Sequence, residues 1–442
     1  MFGLVGSLQA QKLEKSFKVG VDLYNFDYQM ETLVIKPKDL VNKIQLEISY
    51  LPEAKNLKNL PVIYLTDGQW RRMDHKYIHY LTYKKIIPPV IVVGVGYTEE
   101  ANVGQARWVD MVMKPEALIK VFKTEIIPLV ESKYRINAAE RYLFGASNGG
   151  YFVTYACMKS CLEVDRTFAG FIGSSPYLAT EDGVVDAQKM AQELVAKQRK
   201  FQTKLYLAYG QKEGIWEYQQ PNNELFQTLE HQILKGLNFI HHVYPDSDHF
   251  SNTRLTLIDG LRLFLGKKVN QAVGAVDLKY QSYQYQFKHN TEFYDWNTNF
   301  VAANSYCTDQ KYSLDKKSGS FEVKADFSKY NSLNFQTSSV YFEGLADRKV
   351  EFNIYIPQDL AKLKYSVRLM IYSTHPGQME WQADYSESFP IIKAGWNTFQ
   401  CKWRGQKVTG NLDCIRGFGI TIDKSQAAVA WQGKLYFDNI GW

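Results

Sequence analysis

The chain has 442 residues, more than one hydrophobic core ordinarily organises, so its length predicts two domains. Hydrophobic residues make up 45% and charged residues 22%, which is the balance of a folded globular protein and excludes a disordered chain. The net charge of +6 is spread along the sequence without a basic cluster, which excludes a nucleic-acid site, and no run reaches the roughly 18 apolar residues of a membrane span.

The N-terminus has a short apolar run that ends in small and polar residues at positions 8–11, like the tail of a secretory signal peptide. The positively charged start of such a peptide is missing. We interpret residues 1–24 as a signal-peptide remnant and leader, which predicts a secreted or periplasmic protein. A plain disordered leader is the alternative.

From residue 25 to residue 266, strand-like runs alternate with amphipathic helical patterns such as Pro115–Tyr134 and Asn223–Lys235. The first two runs form a hairpin-like pair, and the later ones are nearly continuous in apolar residues, as in a parallel sheet covered on both faces. The region predicts an α/β domain with about eight strands. The runs are Thr32–Ile35, Ile44–Leu51, Val62–Leu65, Val90–Val95, Tyr142–Phe144, Ala169–Ile172, Leu205–Ala208 and Phe239–Tyr244.

Residues 267–282 are polar and predict a linker, and the pattern then changes to short alternating runs without helices. Closely spaced strands of this kind predict a β-sandwich over residues 283–442. Its runs are Ser320–Val323, Ser339–Phe342, Val350–Ile356, Ser366–Tyr372, Thr398–Trp403, Gly417–Ile422 and Lys434–Ile440.

A G-x-S-x-G pentapeptide at residues 145–149 lies between the apolar run that ends at Phe144 and the helical pattern that begins near Tyr151. A serine on a tight turn between strand and helix has its hydroxyl exposed above the sheet, with the helix N-terminus beneath it. Ser147 is therefore the predicted nucleophile.

A serine hydroxyl needs a nearby base, and the base needs an orienting acid. His249 follows the last predicted strand of the α/β region and is the candidate base, whereas His241 and His242 lie within that strand. Glu213 follows the preceding strand and is the candidate acid. Glu217 competes with it, and Asp246 or Asp248 are further candidates for a supporting role in the histidine loop.

Two backbone N–H groups should stabilise the oxyanion that forms when a serine attacks a carbonyl. One is that of Asn148, at the start of the helix after Ser147. The second donor is assigned to Gln69 or Trp70, in the loop after the strand that ends at Leu65. Neither assignment requires a metal or another cofactor for catalysis.

Four segments together resemble the Putative esterase family of α/β-hydrolases, which is similar to esterase D, siderophore esterases, and feruloyl and acetylxylan esterases. They are residues 62–68 (VIYLTDG), 87–95 (IPPVIVVGV), 125–128 (EIIP) and 145–150 (GASNGG). The resemblance covers about residues 32–266 and implies an α/β-hydrolase fold and ester hydrolysis through an acyl-enzyme, without a metal. Asn148 departs from the commoner Met, Leu or His after the serine, which bears on pocket shape more than on mechanism.

Residues 283–442 resemble a jelly-roll carbohydrate-binding module, on the segments 380–382 (EWQ), 394–399 (AGWNTF) and 435–440 (LYFDNI). Trp381 and Tyr385 alternate onto one side of a strand and are candidates for stacking on a sugar, although Trp381 is equally suited to packing between the sheets. Trp396 and Tyr436 are expected in the core. Asp438 matches a position that holds a structural calcium in several such modules.

The predicted function is therefore a serine carboxylic ester hydrolase acting on acylated polysaccharide, with feruloyl or acetyl esters as substrates. Trp70, Trp108, Tyr177 and Trp216 lie on loops that could converge over Ser147 and bind the substrate. A periplasmic hydrolase of siderophores or other small esters is one alternative. A non-catalytic carbohydrate-binding protein with a degenerate esterase domain is the other. The sequence leaves the oligomeric state open.

Overall fold

The computed structural model describes residues 17–18, 21–98, 100–179, 187–197, 202–230, 236–266, 276–277, 284–294, 296–298, 304–337, 345–374, 382–391, 393–405, 407–426 and 428–441. Most of the predicted leader and most of the predicted linker lie outside these residues, but Phe17–Lys18 of the leader and Val276–Asp277 of the linker form a short parallel strand pair. The structure confirms the predicted fold class, an α/β unit with a mostly parallel sheet followed by an all-β unit.

The α/β unit is built on an eight-stranded sheet in the order β1-β2-β4-β3-β5-β6-β7-β8. Strand β2 pairs antiparallel with both β1 and β4, and the other neighbours are parallel, so the predicted antiparallel start is present. The strands are β1 (Gln29–Ile35), β2 (Ile44–Tyr50), β3 (Leu60–Thr66), β4 (Ile91–Tyr97), β5 (Ile136–Ala146), β6 (Gly170–Ser174), β7 (Thr203–Gly210) and β8 (Leu237–Tyr244).

Helices cover both faces of this sheet, as the apolar strands require. They are α1 (Arg72–Tyr83), α2 (Val103–Arg107), α3 (Pro115–Val121), α4 (Ile127–Lys133), α5 (Asn148–Glu163), α6 (Ala187–Lys197), α7 (Gln220–Glu230) and α8 (Ser251–Leu265). The predicted helix at 115–134 is α3 and α4 joined by a wider π turn at Phe122–Ile126. Pro128, at the start of α4, lacks an N–H to donate within a regular helix, which accounts for the break in the regular pattern.

The all-β unit consists of two six-stranded sheets. One has the order β11-β12-β20-β14-β18 with β9 also on β20, and the other has the order β10-β13-β19-β15-β16 with β17 also on β15. The strands are β9 (Gln284–Tyr285), β10 (Asn297–Thr298), β11 (Asn304–Cys307), β12 (Ser320–Asp326), β13 (Ser332–Thr337), β14 (Lys349–Ile356), β15 (Tyr365–Ser373), β16 (Gln382–Tyr385), β17 (Phe389–Pro390), β18 (Gly395–Lys402), β19 (Ile415–Lys424) and β20 (Gln432–Gly441). The predicted strand at 339–342 lies outside the described residues.

The two units pack directly against each other. Asn290, in the short helix Asn290–Phe293, donates its side-chain amide to the carbonyl of Tyr28 and accepts the Tyr28 N–H, at 2.9 and 3.1 Å. The ring of Tyr28 also lies 4.8 Å from that of Tyr294. Buried apolar side chains of both units belong to one continuous cluster.

Part of the predicted leader belongs to the packed structure. Residues Val21–Tyr24 form a 3-10 turn in which Leu23 is fully buried and Asp22 accepts a hydrogen bond from Tyr80 of α1. The packed unit therefore extends back at least to residue 21. Among the helices of the described residues, none combines the length and the apolar character needed to cross a bilayer.

Candidate active site

Ser147 occupies the turn between β5 and α5, with φ 59° and ψ −119°. A positive φ disfavours a residue with a side chain, so the surrounding structure must hold the serine there. Its N–H donates to the carbonyl of Ser174 at 3.0 Å, and its carbonyl accepts from the N–H groups of Tyr151 and Tyr177. Three backbone hydrogen bonds thus fix the turn.

The glycines on either side of Ser147 permit a close approach of strand and helix. A side chain at Gly145 would place its Cβ 2.2 Å from the carbonyl oxygen of Gly149, and one at Gly149 would lie 2.2 Å from the hydroxyl oxygen of Thr66 on β3. Both distances are far inside van der Waals contact, so the spacing of the pentapeptide follows from packing as well as from the turn.

Glu213 and His249 meet across the ends of β7 and β8. These strands are parallel neighbours, and the loops after them are joined by hydrogen bonds from Gln211 to Tyr244 and from Lys212 to Ser247. A Glu213 carboxylate oxygen, Oε2, lies 2.7 Å from Nδ1 of His249. Adjacent strands therefore bring together an acid and a histidine that are 36 residues apart in the chain.

The other carboxylate oxygen of Glu213, Oε1, accepts three hydrogen bonds. They come from the Ser175 hydroxyl at 2.6 Å, the Gly210 N–H at 2.6 Å and the Asn252 side-chain amide at 2.8 Å. The Glu213 side chain is fully buried. Three donors around a buried carboxylate compensate its desolvation and fix the orientation of its second oxygen toward His249.

Glu217, the competing acid, is exposed on the wider turn Ile215–Gln219 that precedes α7. The same turn carries Tyr218, whose hydroxyl is hydrogen bonded to the Ser147 side chain. The Tyr218 ring lies 4.5 Å from the ring of His249. Burial, with a smaller contribution from the nearby Glu213 charge, raises the pKa of Tyr218 to about 12, so its hydroxyl is protonated at neutral pH.

A row of aromatic rings begins at His249. The ring of Tyr177 lies 5.9 Å from that of Tyr218, and the ring of Trp108 lies 6.1 Å from that of Tyr177, both edge-on. Two of the four predicted substrate-binding aromatics are therefore neighbours of the residue that contacts Ser147. Their mutual distances are those of ordinary aromatic packing.

Of the predicted aromatics that the structure describes, Trp70 and Trp216 are the most exposed, at 58% and 73%. The Arg107 guanidinium lies 5.0 Å from the centre of the Trp70 ring, and its charge also acts on Tyr218. Trp216 lies on the same turn as Tyr218. The role of both tryptophans in substrate binding stays a prediction.

The loop that carries Gln69 and Trp70 is held by a buried ion pair. Asp67, fully buried and at φ 61°, binds Arg107 through both carboxylate oxygens at 2.5 and 2.9 Å. The Trp70 N–H donates to the Asp67 carbonyl, and the Gln69 side-chain oxygen accepts from the N–H of Tyr97. The loop is therefore fixed beside the N-terminus of α5.

The aromatics predicted to bind sugar in the sandwich have mixed placements. Trp381 lies outside the described residues. Tyr385 is 41% exposed on β16, and the Arg368 guanidinium lies 4.5 Å from the centre of its ring. Tyr436 is buried, whereas Trp396 is partly exposed and packs edge-on against Tyr355 at 5.7 Å.

Asp438 is buried, and its carboxylate oxygens accept the N–H groups of Leu314 and Asn439. Burial raises the pKa of Asp438 to about 7. Among the described residues, no group of three or more metal-ligating side chains is present. Because Ca²⁺ also binds backbone and amide oxygens, calcium at Asp438 stays a prediction.

Sequence reasoning did not find three residues that contact the candidate triad, namely Tyr218, Ser175 and Asn252. Ser175 follows strand β6 directly, but nothing in its sequence context indicates a contact with the acid. Asn252 lies in the first turn of α8, three positions after His249, and this closeness in the chain was the available signal. The sequence carries no comparable signal for Tyr218.

An eight-stranded, mostly parallel sheet with helices on both faces and a serine on the turn after its fifth strand defines an α/β-hydrolase. The model of one family, Putative esterase, matches residues 41–264, about half of the chain. The protein belongs to this esterase family.

Solved structures that are similar to this chain include the following three proteins. The BES protein from Bacillus cereus is 21% identical, with 59% of this chain and all of that chain covered and a TM-score of 0.47. An IroE-like serine hydrolase from Shewanella oneidensis is 21% identical over 53% of this chain and 80% of that one, with a TM-score of 0.45. Siderophore hydrolase EstB from Aspergillus nidulans is 16% identical over 55% of this chain and 96% of that one, with a TM-score of 0.43. At these identities and TM-scores the likenesses carry no inference about substrate, and a search of curated proteins found no match.

Proposed function

We propose that this protein is a serine carboxylic ester hydrolase that acts on acylated polysaccharide through an acyl-enzyme. The observation that carries the proposal is the contact between Glu213 and His249 beside a serine held at positive φ. Tyr218 contacts both Ser147 and His249, which supports placing the serine and the histidine side by side.

In this mechanism the Ser147 hydroxyl oxygen forms a bond to the ester carbonyl carbon while Nε2 of His249 accepts its proton. Glu213 holds Nδ1–H of the imidazole and stabilises the imidazolium. The tetrahedral intermediate then expels the alcohol, which takes the proton from His249. A water molecule then attacks the acyl carbon while His249 accepts its proton. The bond to the Ser147 oxygen breaks, Ser147 takes the proton back from His249, and the acid is released.

We assign the oxyanion to the N–H of Asn148, at the N-terminus of α5, and to that of Gln69. The Trp70 N–H is engaged by the Asp67 carbonyl, which favours Gln69 as the second donor. The ion pair between Asp67 and Arg107 keeps this loop in place while charge develops on the substrate oxygen.

The aromatic residues support an ester with a flat acyl group, such as ferulate. Trp108 and Tyr177 continue the row of rings from Tyr218, and flat rings bind flat acyl groups by stacking and edge contacts. Exposed Trp70 and Trp216 are suited to stack on the sugars around the ester. Export from the cytoplasm is part of the same proposal.

A small-ester hydrolase, such as one that acts on a siderophore, is the second candidate. The direct packing of the sandwich on the α/β unit favours it, because that packing gives the sandwich a structural role that needs no glycan.

Replacing Ser147 by Ala tests the catalytic assignment, with Ser132→Ala as the control because the Ser132 hydroxyl bonds only within its own helix segment to Leu129 among the described hydrogen bonds. We expect S147A to lose at least about 10³-fold in p-nitrophenyl acyl ester hydrolysis while its circular dichroism is kept. Full activity in S147A would exclude Ser147 as the nucleophile. No turnover by the unaltered protein would favour a non-catalytic binding role.

Release of ferulate and acetate from one xylan preparation then separates the two hydrolases. We expect ferulate release by the unaltered protein and none by S147A. Turnover of soluble esters without release from the polysaccharide would favour the small-ester candidate.

A further inference from the structure

The residue before the candidate base connects the catalytic loop to the second unit of the protein. Asp248 Oδ1 accepts the N–H groups of Phe250 and Ser251 at 3.1 and 2.8 Å, and so satisfies free donors at the start of α8. The other carboxylate oxygen, Oδ2, binds the Arg416 guanidinium. The Asp248 carboxylate thus binds both the start of the helix that follows His249 and a residue of the sandwich.

Arg416 lies on β19, 168 residues from Asp248 in the chain. Its Nε donates to the Thr374 hydroxyl at 3.1 Å, and its guanidinium also contacts the Cys414 sulfur at 3.1 Å. The side chains of Arg416 and Asp248 are both only 9% exposed. A buried, multiply bonded guanidinium is a rigid support, unlike an exposed surface ion pair.

We propose that Arg416 is a positioning residue for the active site, by which the sandwich unit fixes the loop that carries His249. The proposal rests on the proposed function, in which His249 is the base. In this proposal the sandwich affects catalysis even when the substrate is a soluble ester without a glycan for the sandwich to bind.

The pair has an electrostatic effect as well as a geometric one. Among the described residues, the charged and titratable groups found beside His249 include Glu213 at Nδ1, Asp248 next to it in the chain and Tyr218 against its ring. Asp246 is exposed and lies 3.9 Å from the Lys212 ammonium. Arg416 neutralises Asp248. Without that cation, the Asp248 carboxylate would add to Glu213 in stabilising the protonated imidazole, which cannot act as a base.

The test compares variants of the full-length protein on a soluble p-nitrophenyl ester over a range of pH. We expect Arg416→Gln to lower kcat about 10- to 100-fold with little change in KM, because misplacement of the base affects the chemical step. The acid limb of kcat/KM should also move up by about half a pH unit or more. Arg416→Lys keeps the charge, so its acid limb should stay in place.

The double variant D248N/R416Q removes both charges, while the amide oxygen that D248N introduces can still accept at the start of α8. Its acid limb should therefore return to that of the unaltered protein. Arg404→Gln is the control, since Arg404 pairs with Asp347 on the exposed surface of the same unit. It should behave like the unaltered protein in rate and in pH profile.

The inference is overturned if R416Q keeps a normal kcat and a normal acid limb. It is also overturned if R416K and R416Q lose the same activity while the acid limb of each stays in place, because that result would show a structural role alone. Titration of the His249 imidazole by NMR, assigned with His249→Gln, gives the same comparison without turnover. Failure of ester hydrolysis in the unaltered protein would therefore defeat the proposed function, whereas the outcomes named above for R416Q and R416K would defeat this inference alone.

Discussion

Replacing Glu213 by Gln removes one charge and leaves the shape of the side chain unchanged. The amide must place its oxygen at one of the two carboxylate positions and its NH₂ group at the other. At the Oε1 position the NH₂ group would face three donors, from Ser175, Gly210 and Asn252. At the Oε2 position it would face Nδ1 of His249 instead.

The three donors decide between these orientations. Setting an NH₂ group against them would forfeit about three hydrogen bonds at roughly 1 kcal/mol each, or about 3 kcal/mol in total, which disfavours that orientation by about 100-fold. The amide NH₂ therefore donates to Nδ1, and the imidazole carries its proton on Nε2, where it cannot accept one from Ser147. Loss of the carboxylate charge opposite the imidazolium adds to this cost, and together we expect kcat to fall by about 10³- to 10⁴-fold.

Burst and steady-state hydrolysis of a p-nitrophenyl ester, at matched folding by circular dichroism, measures the effect. Glu217→Gln is the matched control because Glu217 is exposed, and we expect it to stay within about twofold of the unaltered protein. An E213Q activity within tenfold of normal, or an equal loss in E217Q, would refute the assignment of the acid.

Tyr218→Phe keeps the ring against His249 but removes the hydroxyl that is bonded to Ser147. We expect kcat to fall about tenfold because this hydrogen bond is lost. An unchanged kcat would show that the hydroxyl has no part in catalysis. A second prediction concerns the stability of the fold in acid. Burial lowers the pKa of His79 to about 3 and that of His75 well below its ordinary 6.5. The Ser49 hydroxyl is hydrogen bonded to both rings. Below about pH 6.5 these imidazoles become protonated in the unfolded chain but stay neutral in the native protein. Their contribution to the free energy of unfolding is therefore complete above that pH, and below it falls by up to about 1.4 kcal/mol per pH unit for each ring. Urea unfolding of the unaltered protein and of His79→Gln between pH 7.5 and 5 checks this, and equal slopes in the two proteins would contradict it.

The fold was predictable where local pattern and tertiary structure agree. All eight predicted strands of the α/β region are present, and the central strands β3, β4, β6 and β7 are apolar because they are buried on both faces. Helix α1 has no such signature, since polar residues including His75, Lys76 and His79 are buried in it. Burial of such polar side chains depends on partners that the sequence does not reveal, so the buried face of this helix could not be predicted from its pattern.

The parts of the candidate site that depend on the order of the strands could be predicted from the sequence. Ser147, Glu213 and His249 follow three strands of one sheet, and a parallel sheet brings the ends of such strands together. The choice between Glu213 and Glu217 stayed open because it depends on which side of one turn faces inward. Arg416 could not be predicted at all, since its contact with Asp248 crosses between two units that the sequence pattern treats as separate.

The junction of Asn290 with Tyr28 bears on how this architecture can be reused. Asn290 completes the backbone hydrogen bonding of a segment just before β1, and Tyr294 covers the ring beside it. An appendage on a tether can be exchanged between enzymes by recombination, but one that supplies such contacts must change together with its host. A chimaera that grafts another sandwich onto the α/β half would therefore need these contacts, and the one between Asp248 and Arg416, rebuilt.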